Sequence, residues 1–220
     1  MNKKITTLLF GLFVAFTSQA QNISSIEGQN LLFRRSEKSP ESISGSQYFK
    51  ENFASAQVND GTEYFNIRYN NHKDVMEYQK TSTETLDLIP EKNVKVKFAD
   101  GTTYLLKDYK DARGDEKRGY LKLISSDNNI SFYVAEKVKF NPAVKARNSY
   151  ETDKSAEFTK EKTLYFVEAN GVIHNVSKAK DIQKVFAKHE NQLKEFFKTN
   201  KIDFDKKDQV QTLVSFLAKL

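Results

Sequence analysis

The chain has 220 residues, with 35 Lys and Arg against 29 Asp and Glu, and it contains no cysteine. The absence of cysteine excludes a disulfide framework, a thiolate metal site and a catalytic thiol. The modest positive charge is spread over a mixture of basic and acidic residues rather than a basic stripe, so nucleic acid is not expected as a partner. An aromatic content of 12% favours a folded domain over wholesale disorder.

Residues 1–20 have the three parts of a secretory signal peptide. Lys3 and Lys4 form the basic start, an apolar stretch follows, and Ser18 and Ala20 put small residues before a cleavage site. The apolar stretch is too short to span a bilayer, and no later segment approaches the roughly 20 apolar residues that a spanning helix needs. We therefore expect export with cleavage after Ala20 and a mature chain, periplasmic or at the cell surface, that does not span the membrane. The lack of cysteine favours a bacterial envelope.

Residues 21–45 are predicted to form a flexible or loosely docked N-terminal arm. Their apolar cluster is Leu31-Leu32-Phe33, and the stretch that follows is rich in serine and charge. We expect the ordered part of the chain to begin near Tyr48.

Residues 46–177 are predicted to form an antiparallel β domain. Asx-Gly pairs between alternating apolar runs are the strongest short-range hairpin signal, because a type I′ turn needs positive φ at both central residues. The region has three such pairs, Asp60-Gly61, Asp100-Gly101 and Asn170-Gly171.

A two-residue turn at Asp100-Gly101 predicts the register of its hairpin. Val96 then shares the core face with Thr103 and Leu105, while Tyr104 points to the other side. The charged residues 108–118 that follow are predicted to be a loop.

A two-residue turn at Asn170-Gly171 pairs Tyr165 with Val176 and Val167 with His174. The other predicted strands have the apolar alternation of half-buried β structure. They are residues 64–69, 74–78, 85–89, 120–124 and 130–140. Because the connections are short, we expect neighbours in sequence to pair as an antiparallel meander, with a half-barrel as one possible form.

Residues 178–220 change to a helical period. Ile182, Val185, Phe186 and Leu193 recur at helical spacing, and Asp205 is the predicted N-cap of a last helix. The sequence therefore predicts an α+β fold in which two or three amphipathic helices follow the sheet.

Motifs for catalysis and cofactor binding are missing from the sequence. No Gly-X-Ser-X-Gly elbow and no phosphate-binding glycine loop occur. His189-Glu190 begins like a zinc-protease helix but has Leu193 where the second ligand belongs. His72 and His174 are far from it in sequence, and we predict packed histidines rather than ligands. The sequence thus predicts no enzyme, no cofactor, no metal site and no catalytic residue.

Arg68-Tyr69-Asn70, at the end of a strong strand, is the local motif with the best case for a specific role, and an arginine that binds a turn is the favoured interpretation. With Gly45-Ser46-Gln47-Tyr48, the strand Asp74 to Tyr78, Gly119-Tyr120 and a helical tail, this motif resembles a group of exported proteins of Gram-negative bacteria. The resemblance covers roughly residues 45–220. It implies the same architecture and compartment, and it transfers no catalytic residue because the group has no assigned activity.

These observations favour a non-enzymatic exported domain that binds another macromolecule, an envelope protein or a glycan, or that stabilises an envelope assembly. The alternative is a periplasmic carrier that holds a lipid or another apolar ligand in a half-barrel. An apolar cavity would favour the carrier, and a filled core would favour the binding domain.

Overall fold

The computed structural model describes residues 23–26, 29–37, 43–90, 93–148 and 150–220. The predicted signal peptide lies outside the described residues. The strands are β1 Ile23–Ile26, β2 Gln29–Arg35, β3 Ala54–Val58, β4 Phe65–Asn70, β5 Val75–Gln79, β6 Thr85–Leu88, β7 Lys95–Phe98, β8 Thr103–Lys110, β9 Glu116–Asp127, β10 Ile130–Ala135, β11 Val138–Asn141, β12 Glu157–Lys160, β13 Leu164–Ala169 and β14 Val172–Val176. The helices are α1 Ala179–Val185, α2 Glu190–Thr199 and α3 Lys207–Leu217, with a 3₁₀ turn at Ala187–His189. The predicted α+β class is confirmed.

Twelve of these strands form one antiparallel sheet, in the order β1-β2-β6-β5-β4-β3-β7-β8-β9-β10-β13-β14. Strands β3 to β6 and β7 to β10 are two meanders, as expected from the short connections. The meanders join through β3 and β7, which are not consecutive, and β2 pairs with β6. A second small sheet pairs β11 with β12.

The large sheet is curled but open. Its edge strands among the described residues are β1 and β14, so it does not close into a barrel. At the C-terminal end β14 contacts β8 across the curl, and Lys107 Nζ on β8 lies 3.0 Å from Glu168 Oε2 on β13. This end is therefore held in its curved shape by side chains that reach over the intervening strands.

Strand β8 alternates in burial because one of its faces is the more deeply covered, whereas β10 is buried along nearly its whole length because both of its faces are covered. The first core lies on one face of the N-terminal half and includes Phe33, Ile67, Met76, Val96, Tyr104 and Tyr120. The second lies between the C-terminal strands and the helices and includes Phe132, Val167, Ile182, Leu193, Leu213 and Leu217. The third covers the opposite face of β8, β9, β10 and β13 and includes Tyr109, Leu121, Tyr133 and Phe166.

The N-terminal region differs from the flexible arm that we expected over residues 21–45. Strand β2 pairs with β6 so that Phe33 lies opposite Leu88, and both side chains are buried. Burying a large apolar side chain of this kind is worth about 1.5–3 kcal/mol. The prediction of a flexible arm is therefore wrong for β2, which joins the sheet through the apolar cluster Leu31-Leu32-Phe33.

The predicted register of the Asp100-Gly101 hairpin is wrong by one residue. Val96 pairs with Tyr104, not with Leu105, because the turn has three residues rather than two. The Phe98 N–H donates to the Thr102 carbonyl oxygen at 2.8 Å, and Gly101 alone takes a positive φ, +84°. A type I turn followed by a left-handed glycine has this geometry. Tyr104 therefore lies on the core face.

The Asn170-Gly171 hairpin is confirmed in detail. Tyr165 pairs with Val176 and Val167 with His174, and both turn residues have positive φ. At the predicted Asp60-Gly61 turn, the two residues with positive φ are instead Asn59 and Asp60, one position earlier. The predicted loop 108–118 is mostly strand, because β8 runs to Lys110 and β9 begins at Glu116.

The helices follow the sheet as predicted and cover its C-terminal half. Helix α1 packs on β14, and α3 packs on β9 and β10. Lys206, not Asp205, is the N-cap residue of α3, and the Asp205 carboxylate instead accepts a hydrogen bond from the Tyr165 hydroxyl. Among the described residues, none of the helices combines the length and apolar character that crossing a membrane requires.

Candidate functional site

Residues 43–53, which we call the docking segment, lie across β4 and β5 and are fastened there by the Arg68-Tyr69-Asn70 strand end. The Asn71 N–H donates to the Gln47 carbonyl oxygen at 3.0 Å. The Phe49 N–H donates to Asn71 Oδ1 at 2.9 Å. A segment without strand or helix of its own is thereby held in one conformation by the turn that follows β4.

Arg68 binds the docking segment through its guanidinium group. Nε donates to Glu77 Oε2 at 2.8 Å, Nη2 donates to the Tyr48 hydroxyl at 2.8 Å, and Nη1 donates to the Glu51 carbonyl oxygen at 3.0 Å. The guanidinium carbon also lies 4.0 Å from the ring centroid of Tyr48 and 4.2 Å from that of Phe53. Arg68 is therefore a structural arginine, as predicted, but it binds the docking segment rather than a turn.

Glu77 is the carboxylate at the centre of this network, and it is only 1% exposed. Besides the bond from Arg68, it accepts hydrogen bonds from Asn70 Nδ2 at 2.7 Å and from the Tyr48 hydroxyl at 3.0 Å. Burial, followed by the neighbouring Glu77 charge, raises the pKa of Tyr48. Tyr48 therefore stays protonated and donates to Glu77 while it accepts from Arg68.

Tyr69 belongs to a second buried network on the other side of the strand. Its hydroxyl donates to Asp74 Oδ1 at 2.6 Å and accepts from Lys137 Nζ at 2.8 Å. Lys137 Nζ also lies 2.6 Å from Asp74 Oδ2, and the Tyr120 N–H donates to Asp74 Oδ1. Burial lowers the pKa of Lys137, although the Asp74 charge opposes this effect. This network ties the turn after β4 to β9 and to the start of β11.

A pocket of about 270 Å³ opens where the docking segment meets β3, β4, β7, β8 and β9; we call it the segment pocket. Its lining combines aromatic, amide and charged side chains. These are Phe49, Lys50, Asn52, Ala54, Arg68, Tyr69, Asn71, Phe98, Asp100, Thr102, Tyr104, Lys122 and Glu136. Arg68 and Tyr69 thus connect the lining of the pocket to the two networks described above.

Two ion pairs lie at the walls of the segment pocket. Lys50 Nζ is 2.8 Å from Asp100 Oδ2, and Lys122 Nζ is 2.7 Å from Glu136 Oε1. Hydrogen bonds from Lys50 and from the Thr102 N–H lower the pKa of Asp100 to about 2. Both carboxylates are therefore matched by a lysine within the pocket.

Tyr104 contributes a phenol group to the lining of the segment pocket. The residue is 8% exposed, and its ring lies 5.0 Å from that of Tyr69 and 6.0 Å from that of Phe98. Within the described ranges, its hydroxyl has no hydrogen-bond partner. Burial raises its pKa, so the hydroxyl is protonated near neutral pH.

The histidines examined for metal binding remain apart from one another. His72 Nδ1 lies 3.1 Å from the Val138 carbonyl oxygen and its ring contacts Phe158, His174 is on β14, and His189 Nδ1 lies 2.8 Å from Gln192 Oε1. In the part of the chain that the structure describes, no group of three His, Asp or Glu side chains has the arrangement of a metal site.

Arg68 to Asn70 are recognisable in the sequence as a special motif, but the pocket that this strand end helps to form is not. Tyr104 was placed on the wrong face by the one-residue error in its hairpin. Lys122 is on β9 and Glu136 directly follows β10, and the two side chains pair because β9 and β10 are adjacent. The Arg68-Tyr69-Asn70 motif was the signal in the sequence that pointed toward this site, because Arg68 and Tyr69 are part of its lining.

Comparison with known proteins adds no relative: no family model, no curated protein and no solved structure matches the chain. The resemblance to the exported Gram-negative group therefore stays a prediction, and the site itself is the basis for a function.

Proposed function

We propose that this chain is an exported, non-enzymatic binding domain that holds its partner, an envelope protein or a glycan, at the segment pocket. The observation that carries the proposal is the pocket itself, a concave site with aromatic walls and a few convergent polar groups. Binding sites typically have this composition. The signal-peptide pattern of residues 1–20 supports export to the periplasm or the cell surface.

The chemistry of the pocket favours binding over catalysis. A general base works best with a pKa near the working pH, whereas the pKa of Asp100 is held at about 2. Glu136 is engaged by Lys122 at 2.7 Å. These carboxylates are suited to accepting hydrogen bonds from a ligand rather than protons from a substrate.

At the segment pocket, an acyl-chain carrier has less support. Cavities for drug-sized ligands span roughly 300–1,000 Å³, and the segment pocket has about 270 Å³ with two ion pairs at its walls. An apolar chain in this space would have to desolvate those charges without replacing their hydrogen bonds.

A tryptophan at Ala54 provides a test. Ala54 is exposed and lines the pocket, so Ala54→Trp should fill the pocket. Ser55 is also exposed and points to the opposite face of β3, which makes Ser55→Trp the matched control. Protein purified from the periplasm, as wild type and both variants, would be incubated with a detergent-free envelope fraction and recovered with what it binds.

We expect wild type and Ser55→Trp to retain the same envelope component and Ala54→Trp to lose it. Equal retention by Ala54→Trp, or retention of nothing by the wild type, would contradict the proposal. Circular dichroism of the three proteins checks that each is folded.

A further inference from the structure

We infer that Tyr150 of one molecule binds in the segment pocket of a second copy of this chain. The second copy then competes with the envelope partner for the site and regulates it. This regulatory meaning rests on the proposed function, whereas the contact between the two copies does not. A projecting hairpin, the exposure of Tyr150 and the size and lining of the pocket carry the inference.

Strands β11 and β12 and the loop between them form a hairpin, residues 138–160, that we call the hairpin arm. Its ladder pairs Asn141 with Glu157, and a separate bridge further out pairs Val144 with Lys154. None of the described residues from 139 to 160 is buried. The outer part therefore adds little apolar burial to the fold, and connections of this length in a compact domain are usually either functional or disordered.

The tip of the hairpin arm is ordered by its own hydrogen bonds. The Arg147 N–H donates to Glu151 Oε2 at 3.1 Å, and the Tyr150 N–H donates to Asn148 Oδ1 at 3.0 Å. The Glu151 N–H donates in turn to the Asn148 carbonyl oxygen at 3.3 Å. A loop that is already held in one conformation loses little entropy on binding, which favours a recognition element over a spacer.

Tyr150 is 99% exposed, so its own chain does not cover it among the described residues. The next exposed tyrosine, Tyr64, is 62% exposed. Near Tyr150, the guanidinium group of Arg147 makes no ion pair or hydrogen bond within the described ranges. Tyrosine and arginine are enriched among the residues that dominate binding energy at interfaces. The tip therefore presents two residues that are suited to anchoring a protein contact.

The segment pocket has the size and the lining for one aromatic side chain. Its volume of about 270 Å³ is below the roughly 300–1,000 Å³ of cavities for drug-sized ligands. Phe49 and Phe98 are part of its lining, and aromatic rings pack favourably against one another in offset or edge-to-face geometry. The Lys122–Glu136 pair at the wall provides a donor and an acceptor for the tyrosine hydroxyl.

The exposed ion pair of the pocket lining suits the arginine near Tyr150. The side chains of Lys50 and Asp100 are 72% and 54% exposed, and an ion pair in solvent contributes little stability. Arg147 can therefore bind Asp100 in place of Lys50 at small cost. Its guanidinium group also offers a carboxylate two parallel hydrogen bonds, which the ammonium group of a lysine does not.

The hairpin arm and the segment pocket are neighbours in each molecule, which allows a closed dimer. Glu136 lines the pocket and lies two residues before β11. Lys160 Nζ, at the base of the arm, lies 4.5 Å from the ring centroid of Phe49 in the pocket lining. Two copies related by a two-fold axis can therefore each insert a tip into the other, so that the same contact forms twice.

Sedimentation velocity of periplasmically purified protein over a range of concentrations tests this contact. Tyr150→Ser removes the anchor, and Tyr64→Ser, outside the arm and the pocket lining, is its matched control. Ala54→Trp fills the pocket, with Ser55→Trp as its control. The decisive sample is an equimolar mixture of Tyr150→Ser and Ala54→Trp, because the first variant keeps the pocket and the second keeps the anchor.

We expect wild type and both controls to dimerise reversibly. Tyr150→Ser and Ala54→Trp should each dimerise at least about 30-fold more weakly, the loss that defines an interface hot spot. The mixture should recover dimers through the one intact contact that the two variants form together. Tyr150→Ser should also capture at least as much envelope component as wild type, because its pocket is free. Circular dichroism checks that every variant is folded.

The inference is overturned if wild type is monomeric at every concentration, if Tyr150→Ser dimerises like wild type, or if the mixture stays monomeric. Weaker envelope capture by Tyr150→Ser than by wild type would reject the competition. Dimers that capture no envelope component would support the contact and reject the proposed function, and capture by a monomeric wild type would do the reverse.

Discussion

The side chain of Glu77 lies directly opposite that of Asp87 on the neighbouring strand, and both carboxylates are buried. Arg68 pairs with Glu77 at 2.8 Å, whereas Arg34 Nε is 3.6 Å from Asp87 Oδ2. The other oxygen of Asp87 is buried without a hydrogen bond in the described structure. The negative charge of Glu77 is therefore better compensated by its arginine than that of Asp87.

Asp87→Asn should raise the free energy of unfolding at pH 7. Burial raises the pKa of Asp87 above its ordinary value of 3.8, so the folded state binds a proton more readily than the unfolded state and ionisation destabilises the fold. The amide also removes the repulsion toward Glu77. The gain in unfolding free energy should be complete above the raised pKa of Asp87. It should disappear as the pH falls to 3.8, where Asp87 is protonated in the folded protein as well.

Urea denaturation of both proteins at pH 7, 5 and 3.5 measures this effect. Asp115→Asn, at an exposed position, is the control and should change little at any pH. A loss of stability in Asp87→Asn at pH 7 would show that the weak contact with Arg34 outweighs burial.

Arg68→Met should destabilise the fold by about 3–5 kcal/mol, because it leaves Glu77 buried without its cation. Glu77→Gln in the same chain should recover part of that loss. A double-mutant cycle from urea denaturation measures the coupling, and hydrogen exchange at the Phe49 amide reports on the docking segment. If the losses of unfolding free energy in Arg68→Met and Glu77→Gln simply add in the double variant, the network that we describe is contradicted.

Lys50→Met should raise the pKa of Asp100 from about 2 toward its ordinary 3.8. The hydrogen bond from Lys50 is the largest cause of the lowered value. The stability that this depressed pKa contributes is present above pH 3.8 and is lost as the pH falls toward 2. Carbon-detected NMR titration of the carboxyl group measures the shift.

Lys95→Met is the control for that titration, since Lys95 pairs with Asp60 at 2.7 Å in a different turn. It should leave the Asp100 titration where it is in wild type. An unchanged Asp100 pKa in Lys50→Met would assign the effect to the Thr102 N–H instead.

Gly119→Ala should destabilise the protein by about 1–3 kcal/mol, the cost of overpacking. A Cβ at this position would lie 2.1 Å from Asp74 Oδ2, and that carboxylate is held by Lys137 and Tyr69. Asp74→Gly removes the obstructing group at a residue whose φ is +56°. In that background the added cost of Gly119→Ala should fall close to zero, as thermal denaturation of the four proteins would show; an equal cost in both backgrounds would contradict the steric explanation.

Protein purified from the periplasm should have the mass of residues 21–220. The small residues Ser18 and Ala20 predict cleavage after Ala20. Intact mass spectrometry measures this, with Ala20→Arg as a variant in which processing should fail. A mature protein that retains residues 1–20 would contradict the prediction.

The parts of the fold that were predictable depend on local chemistry. Asn170-Gly171 specifies its turn and therefore its register, because both residues accept positive φ. At Asp100-Gly101 the same signal fits a turn of two or of three residues. The structure has the three-residue turn, which places Tyr104 on the core face rather than on the predicted opposite face. The pairing of β3 with β7 has no local signal at all.

The segment pocket was not predictable for the same reason. Its lining comes from the docking segment, from the β7–β8 hairpin and from Lys122 and Glu136, which only non-local pairing brings together. Arg68 was recognisable as a special arginine, but the buried Glu77 that it binds looks in sequence like any polar residue of an alternating strand.

The strand order has a consequence for how the chain reaches its final shape. Strand β2 precedes the β3–β6 meander but hydrogen-bonds to its last strand, β6. Contacts between residues this far apart in sequence form slowly, because the loop must close before they stabilise anything. A chain that emerges N-terminus first therefore presents the apolar Phe33 well before Leu88 is available to cover it. During that interval Phe33 is exposed to aggregation and to capture by a chaperone.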